Sequence, residues 1–115
     1  MKKGIYRYIP TEHKLVLVKE EENISNHIIE GTLGQKFAGT APVNFIWSVT
    51  PYRSEWRYVH KSHKVMLIDA GHICQALYLA CETIGLGTCA LAAYDQEYID
   101  NLIEVDGEDE FVVYM

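Results

Sequence analysis

"DAGHICQALYLACETIGLGTCALAAYD", residues 69–95, carries the strongest periodic signal in the chain. Ala70, Ile73, Cys74, Leu77, Ala80, Cys81 and Ile84 recur at the three- and four-residue spacing of one helical face. The pattern predicts a helix over 69–84, with Asp69 as its N-cap or first-turn acid and Gly85 as its stop. Tyr78 and Leu79 are apolar off that face, so the helix should be covered on more than one side, as a central core helix or a subunit interface. Gly85 and Gly87 come after a helix, whereas a phosphate loop places its glycines between a strand and a helix N-terminus. No Lys-Ser or Lys-Thr follows them, so they read as a helix end and a tight turn.

Working toward the N-terminus, "YRSEWRYVHKSHKV" (52–65) is polar and aromatic, and its pattern fits either helix or irregular chain. "APVNFIWSVTP" (41–51) is nearly continuous in apolar and β-prone residues between prolines, which predicts a central strand buried on both faces. Acidic residues 20–22 precede Ile24, Ile28 and Ile29, with Gly31 and Gly34 as stops, the pattern of a short amphipathic helix. Tyr6–Tyr8 and Leu15–Val18 flank a turn at Pro10 and read as a hairpin. Toward the C-terminus, Asp95 can cap a helix bearing Tyr98, Ile99, Leu102 and Ile103. Asp106-Gly107 makes a turn beyond it, and "EFVVYM" reads as a strand. Strands and helices mix without regular βαβ alternation, so the expected class is α+β in a single domain spanning 1–115.

The bulk properties exclude several function classes. A formal net charge of -6 leaves no basic stripe for a phosphate backbone, so nucleic acid is not an expected partner. No apolar run is long enough to cross a membrane and the N-terminus has no signal-peptide pattern, so the chain reads as cytoplasmic. Cys74, Cys81 and Cys89 form no CxxC pair, as suits a reducing compartment. His60 and His63 stand at helical spacing, yet no carboxylate or cysteine joins them at ligand spacing, and no metal is expected. Cys89 has no adjacent base and reads as a buried packing residue.

Four segments together, "GIYRYIPTEHKLVLV", "APVNFIWSV", "WRYVHKSHKVMLIDAGHICQALYLACETIGLGTCALAAYD" and "LIEVDGEDEFVVY", resemble the SagB-type dehydrogenases of the nitroreductase superfamily. The resemblance implies an α+β nitroreductase-like fold, with a mixed or antiparallel sheet and helices packed around a long central helix. It implies an FMN-dependent homodimer with flavin at the subunit interface. Relatives oxidise azoline rings in peptides or reduce nitro compounds and quinones, with NAD(P)H as a possible electron donor. Carried over, Ala90 and Leu91 would pack on the isoalloxazine ring, and the N–H groups of Ala92 and Ala93 would reach its N5 and O4 edge. Donors placed there stabilise the charge that arrives with a hydride. Tyr58 and Arg57 stand where azoline-oxidising members carry a catalytic Lys-Tyr pair. Arginine stays protonated and cannot act as the base, which leaves Tyr58 as the proton-transfer candidate and counts against azoline oxidation.

The same resemblance implies an N-terminal arginine-rich segment and a basic residue past the last strand, both serving the flavin phosphate. Neither is in this sequence. The expectation is a chain truncated at both ends relative to the family: either the C-terminal part of an FMN-dependent oxidoreductase acting on a small-molecule or peptide substrate, or a flavin-free dimerisation module derived from that fold. Losing charge-assisted phosphate contacts would cost on the order of several kcal/mol of cofactor binding.

Overall fold

The structure, a computed structural model, describes residues 2–115. The chain falls into two compact units, Met1–Pro42 and Val43–Met115. The fold class is α+β, as expected, with helices and small antiparallel sheets.

The first unit opens with a hairpin of β1 (Gly4–Ile9) and β2 (Lys14–Glu20), in which Ile9 stands opposite Lys14. Pro10 presets the turn, and the Glu12 N–H closes it on the Ile9 carbonyl at 3.3 Å. Helix α1 (Ile24–Gly31) buries Ile28 and packs on the short α2 (Lys36–Thr40). At the end of α1 the Gly34 N–H returns to Ile29 O (2.8 Å) and the Leu33 N–H to Glu30 O (3.0 Å), a Schellman arrangement. The left-handed residue of that turn is Leu33, at φ 57, between the two glycines that the sequence offers as stops.

The second unit comprises β3 (Trp47–Val49), α3 (Tyr52–Tyr58), a 3-10 turn (Val59–Lys61), α4 (Ser62–Thr83), α5 (Gln96–Leu102) and β4 (Phe111–Tyr114). Strand β3 pairs only with β4, antiparallel, Ser48 opposite Val112. The long buried strand expected over 41–51 is therefore corrected to three half-buried residues, since an apolar run becomes a central strand only where partners flank it on both edges. The ambiguous 52–65 segment is helical, apart from the 3-10 turn.

Helix α4 begins seven residues before the expected start, and Asp69 lies inside it rather than at its cap. Its buried stripe is Ser62, Met66, Ala70 and Cys74, one residue per turn, and the first two continue the face through a segment that reads as polar. Ile73, Leu79 and Ile84 are exposed within this chain, at 51%, 63% and 69%. Helix α5 starts where expected: the Asp95 Oδ1 accepts the Tyr98 N–H at 2.9 Å. It buries Ile99 and Leu102 toward β4, whose Val112 is fully enclosed.

Two glycines test this packing in opposite directions. A Cβ at Gly39 would lie 2.3 Å from Ile29 Cγ1 and 2.6 Å from the Ser25 carbonyl oxygen. Gly39→Ala should therefore destabilise the chain by about 1–3 kcal/mol in urea unfolding. Gly71, inside α4, has nothing within 4 Å of such an atom, and Gly71→Ala should stabilise by about 0.5–1 kcal/mol. Equal stability of Gly39→Ala and the parent would refute the close approach of α1 and α2.

Candidate functional site

The site grows from the way α4 ends. Gly85, at φ +70, donates its N–H to Glu82 O (3.2 Å), and the Leu86 N–H returns to Cys81 O (3.0 Å). This Schellman closure satisfies two terminal carbonyls and turns the chain sharply away from the helix. Gly85 is thus the helix stop that the sequence marks.

Beyond the turn, residues 90–93 are gripped from two sides. The Leu91 N–H donates to Met115 O (2.8 Å) and the Met115 N–H donates back to Leu91 O (3.1 Å). The Ala90 N–H donates to the Tyr78 hydroxyl oxygen (2.7 Å) on α4. Successive amides of an extended chain face opposite edges, so pairing of Leu91 with Met115 turns the amides of Ala90 and Ala92 to the edge where Tyr78 stands. Leu91 is 7% exposed and anchors the segment in the core, whereas Ala90 is half-buried and Ala92 and Ala93 are exposed. Among the described residues the Ala92 N–H has no hydrogen-bond acceptor.

This edge has what a flat heteroaromatic ring requires: an outward amide donor, methyl side chains that let the ring come close, and a support behind them. Two residues upstream, the Thr88 Oγ1 is buried without a partner, a polar atom that a ring carbonyl or nitrogen would satisfy. The segment therefore fits the isoalloxazine portion of a flavin. It does not fit the phosphate, because no lysine or arginine occurs between Gly85 and Asp95.

Cys89 is exposed, not buried as the sequence suggested. It follows the turn that lifts the chain off α4, and its thiol reaches only its neighbour's carbonyl, Ala90 O, at 3.8 Å. The buried thiol is Cys74. Burial pushes the Tyr114 phenol up from its ordinary value, with Cys74, Tyr78 and Cys89 adding to the effect. The Trp47 ring lies 6.0 Å from that of Tyr114, and Phe45 stacks on Trp47 at 6.4 Å.

Arg57 and Tyr58 close α3, both exposed, with the guanidinium carbon 5.5 Å from the Tyr58 ring centroid. A cation at that distance from a ring centroid is attracted by the ring's quadrupole. Val59 follows at φ 48, a left-handed conformation that costs a β-branched residue on the order of 1–3 kcal/mol. It lines an open cleft of about 330 Å³ with Glu55, His60 and His63. A second cleft of about 620 Å³ shares Glu55 and His63 and adds Tyr52, Phe111, Glu108 and Asp109. Among the described residues no group of three or more His, Cys, Asp or Glu could hold a metal ion.

Sequence reasoning passed over Tyr78 and Asp100. Tyr78 carries no polar neighbour in sequence to mark its hydroxyl as an acceptor. Asp100 is 4% exposed; its Oδ1 accepts the Val112 N–H (2.7 Å) and its Oδ2 the Gln96 amide (2.9 Å). A carboxylate inside the helical pattern "YIDNLI" was the available signal. Its charge, after burial, helps push the Tyr94 phenol above its ordinary value.

An α+β fold of this arrangement has a known relation. The chain belongs to the nitroreductase family, whose model matches residues 2–115. It is 27% identical over 105 residues to a protein named as a nitroreductase in Methanocaldococcus jannaschii, covering 91% of this chain and 52% of that one. A crystal structure of a protein named as a nitroreductase from Anabaena variabilis superposes with a TM-score of 0.93 at 19% identity, over 99% of this chain and 23% of its own. The chain thus spans about half the length of the curated relative it matches. Among the described residues no helix is long and apolar enough to cross a membrane.

The acidic wall of the larger cleft rests on Asp106, whose Oδ1 accepts the N–H groups of Glu108 (3.0 Å), Asp109 (2.9 Å) and Glu110 (2.9 Å). The Glu110 and Glu108 amides chiefly hold its carboxyl below the usual range. A folded-state value below the unfolded one of about 3.9 gives stability that is present above that pH and lost as pH falls through the folded value. In an NMR titration the three amides should move together with a midpoint below about 3.9; a midpoint at or above it would contradict this cage.

Proposed function

We propose that this chain is the flavin-ring-binding part of an FMN-dependent oxidoreductase of the SagB type. The observation that carries the reading is the outward edge at residues 90–93, where the Ala92 amide has no protein acceptor among the described residues. Ala90, Ala92 and Ala93 would hold the ring, with Leu91 supporting the segment from the core side, and the Ala92 amide would supply a donor to the ring edge. Bound FMN supplies hydride transfer at N5, with NAD(P)H as the donor. Tyr58 holds or takes the proton that accompanies hydride movement, and Arg57 keeps a positive charge over its ring. The substrate is a small organic molecule or a peptide azoline. A fixed cation in place of a second base favours reduction of an acceptor over azoline oxidation.

The exposed apolar side chains of α4, Leu67, Ile68, Ile73 and Leu79, with Ile84 just past its end, support a homodimer built on that helix. Isolated apolar side chains are ordinary on a surface, and several along one helix leave apolar area that a partner would cover. The enzyme so formed works in the cytoplasm.

Purified chain titrated with FMN should quench flavin fluorescence. Tyr58→Phe should keep that affinity while NAD(P)H-dependent reduction of a quinone or nitroarene falls about 10²-fold or more. Failure of the parent chain to take up FMN would overturn the flavin reading and favour a flavin-free dimerisation module.

The dimer has its own test. Sedimentation should give twice the chain mass for the parent and a monomer for Leu79→Asp. A parent that remains monomeric at high micromolar concentration would remove the homodimer from the proposal.

A further inference from the structure

Every lysine and arginine of the second unit lies between residues 52 and 64: Arg53, Arg57, Lys61 and Lys64. The unit is otherwise acidic, in a chain whose net charge is -6. All four residues are exposed, and among the described residues none of them lies within ion-pair distance of a carboxylate. Arg53 and Arg57 stand one turn apart on α3, a spacing at which like charges repel. The cations thus cluster at a cost and gain no compensation from the carboxylates of their own unit.

The helix that carries them buries no residue. Tyr52 and Trp56, also one turn apart, are 79% and 75% exposed. The Trp56 indole N–H donates to Arg53 O (2.9 Å), which holds the ring on its own helix. At about 100° per residue the Tyr52–Trp56 row lies beside the Arg53–Arg57 row, and Glu55 falls on the side away from the arginines. Its carboxylate lines the two clefts instead. Trp, Tyr and Arg are the side chains that dominate binding energy at protein interfaces.

We propose that residues 52–64 dock an extended acidic peptide segment with carboxylates at alternate positions. One helical turn sets Arg53 and Arg57 about 6 Å apart along the axis, and side chains on one side of an extended strand recur about every 6.6 Å. A Glu-x-Glu spacing therefore offers each guanidinium a carboxylate, which it can hold through two parallel hydrogen bonds. Lys61 and Lys64 carry the row past the 3-10 turn into α4. Other polyanions fit less well. A layer of lipid headgroups would press on Glu108 and Asp109, which line the cleft shared with Tyr52, and a long nucleic acid would run beyond the row onto a chain of net negative charge. The surface needs no flavin and so stands apart from the flavin reading; a peptide lying along it passes beside Tyr58.

The test is an NMR titration of the isotope-labelled full chain with the peptide Glu-Ala-Glu-Ala-Glu-Ala-Glu. Amide shifts should centre on residues 52–64, with the Trp56 indole N–H among them, and a Gln-Ala counterpart should cause none. Arg53→Gln combined with Lys64→Gln should weaken binding about 3–10-fold. Lys19→Gln combined with Lys36→Gln removes the same charge from exposed positions of the first unit and should change binding less than about 2-fold. Raising ionic strength from about 0.01 to 0.1 M, which shortens the Debye length from about 30 to about 10 Å, should weaken binding by the parent. Equal effects of the two double variants, shifts centred outside 52–64, or equal binding of the neutral peptide would overturn the proposal. So would the absence of shifts with the acidic peptide at millimolar concentration. Phosphatidylserine vesicles or an oligothymidylate held at these residues more tightly than the peptide would give the surface to lipid or nucleic acid, and concentration-dependent shifts there without peptide would give it to a second copy of the chain; each overturns the peptide.

Discussion

The second unit depends on one backbone exchange, the pair of hydrogen bonds between Leu91 and Met115. It joins the segment released by α4 to the residue after β4, two stretches 24 positions apart. Everything between them, α5 and the acidic turn included, is a loop closed by that contact. Closing such a loop costs configurational entropy that grows only slowly with length, and burial of Leu91, Ile99, Leu102, Val112 and Met115 inside it offsets the cost. The same exchange has a chemical consequence. By using up both polar groups of Leu91, it leaves the amides on either side facing away from the sheet, one to Tyr78 and one outward.

Strand β4 could not lie there without Asp100. A strand paired with β3 still presents backbone groups on its other side, and Val112 is almost wholly buried. The Asp100 carboxylate accepts the Val112 N–H, while the Val112 carbonyl accepts the Gln96 amide (2.9 Å) and the Tyr94 hydroxyl (3.2 Å). Side chains of Tyr94, just before α5, and of Gln96 and Asp100 within it thus stand in for a missing neighbouring strand, and a buried backbone pair that would otherwise be costly is satisfied. An aspartate rather than an amide at 100 makes the bond charge-assisted and shorter.

Features with a local cause were legible in the sequence. The Asp95 cap, the Gly85 stop, the Pro10 turn and the Asp106-Gly107 turn each depend on a few neighbouring residues, and each stands where the residues place it. What escaped needed partners distant in sequence. The apolar run 41–51 looks the same whether one or two strands flank it. The start of α4 was hidden because Ser62 is polar yet fully enclosed, its hydroxyl without a partner. At the end of α1 the flanking glycines were read correctly as a stop, but the strained conformation fell on Leu33 between them. The alanines proposed to face a flavin came from resemblance alone, since methyl side chains carry no chemical signature; the hold of Tyr78 on Ala90 and of Met115 on Leu91 is visible only in three dimensions.

The two groups of candidate residues make different demands on the fold. In the proposed site residues 90–93 would act through backbone amides, which requires rigid geometry, and Ala90 and Leu91 are held from opposite edges. Arg57 and Tyr58, which would act through their side chains, are exposed at the end of a seven-residue helix, followed by a left-handed valine. Strain of that kind persists only where surrounding structure imposes it, and within this unit Val59 is itself exposed. In the proposed site the Tyr58 end is therefore set by a costly turn and the 90–93 end by hydrogen bonds, so the first is the part that packing against another subunit would sharpen most. Exposed apolar side chains on α4, the helix that begins just after that turn, would be the surface for such packing in the proposed dimer.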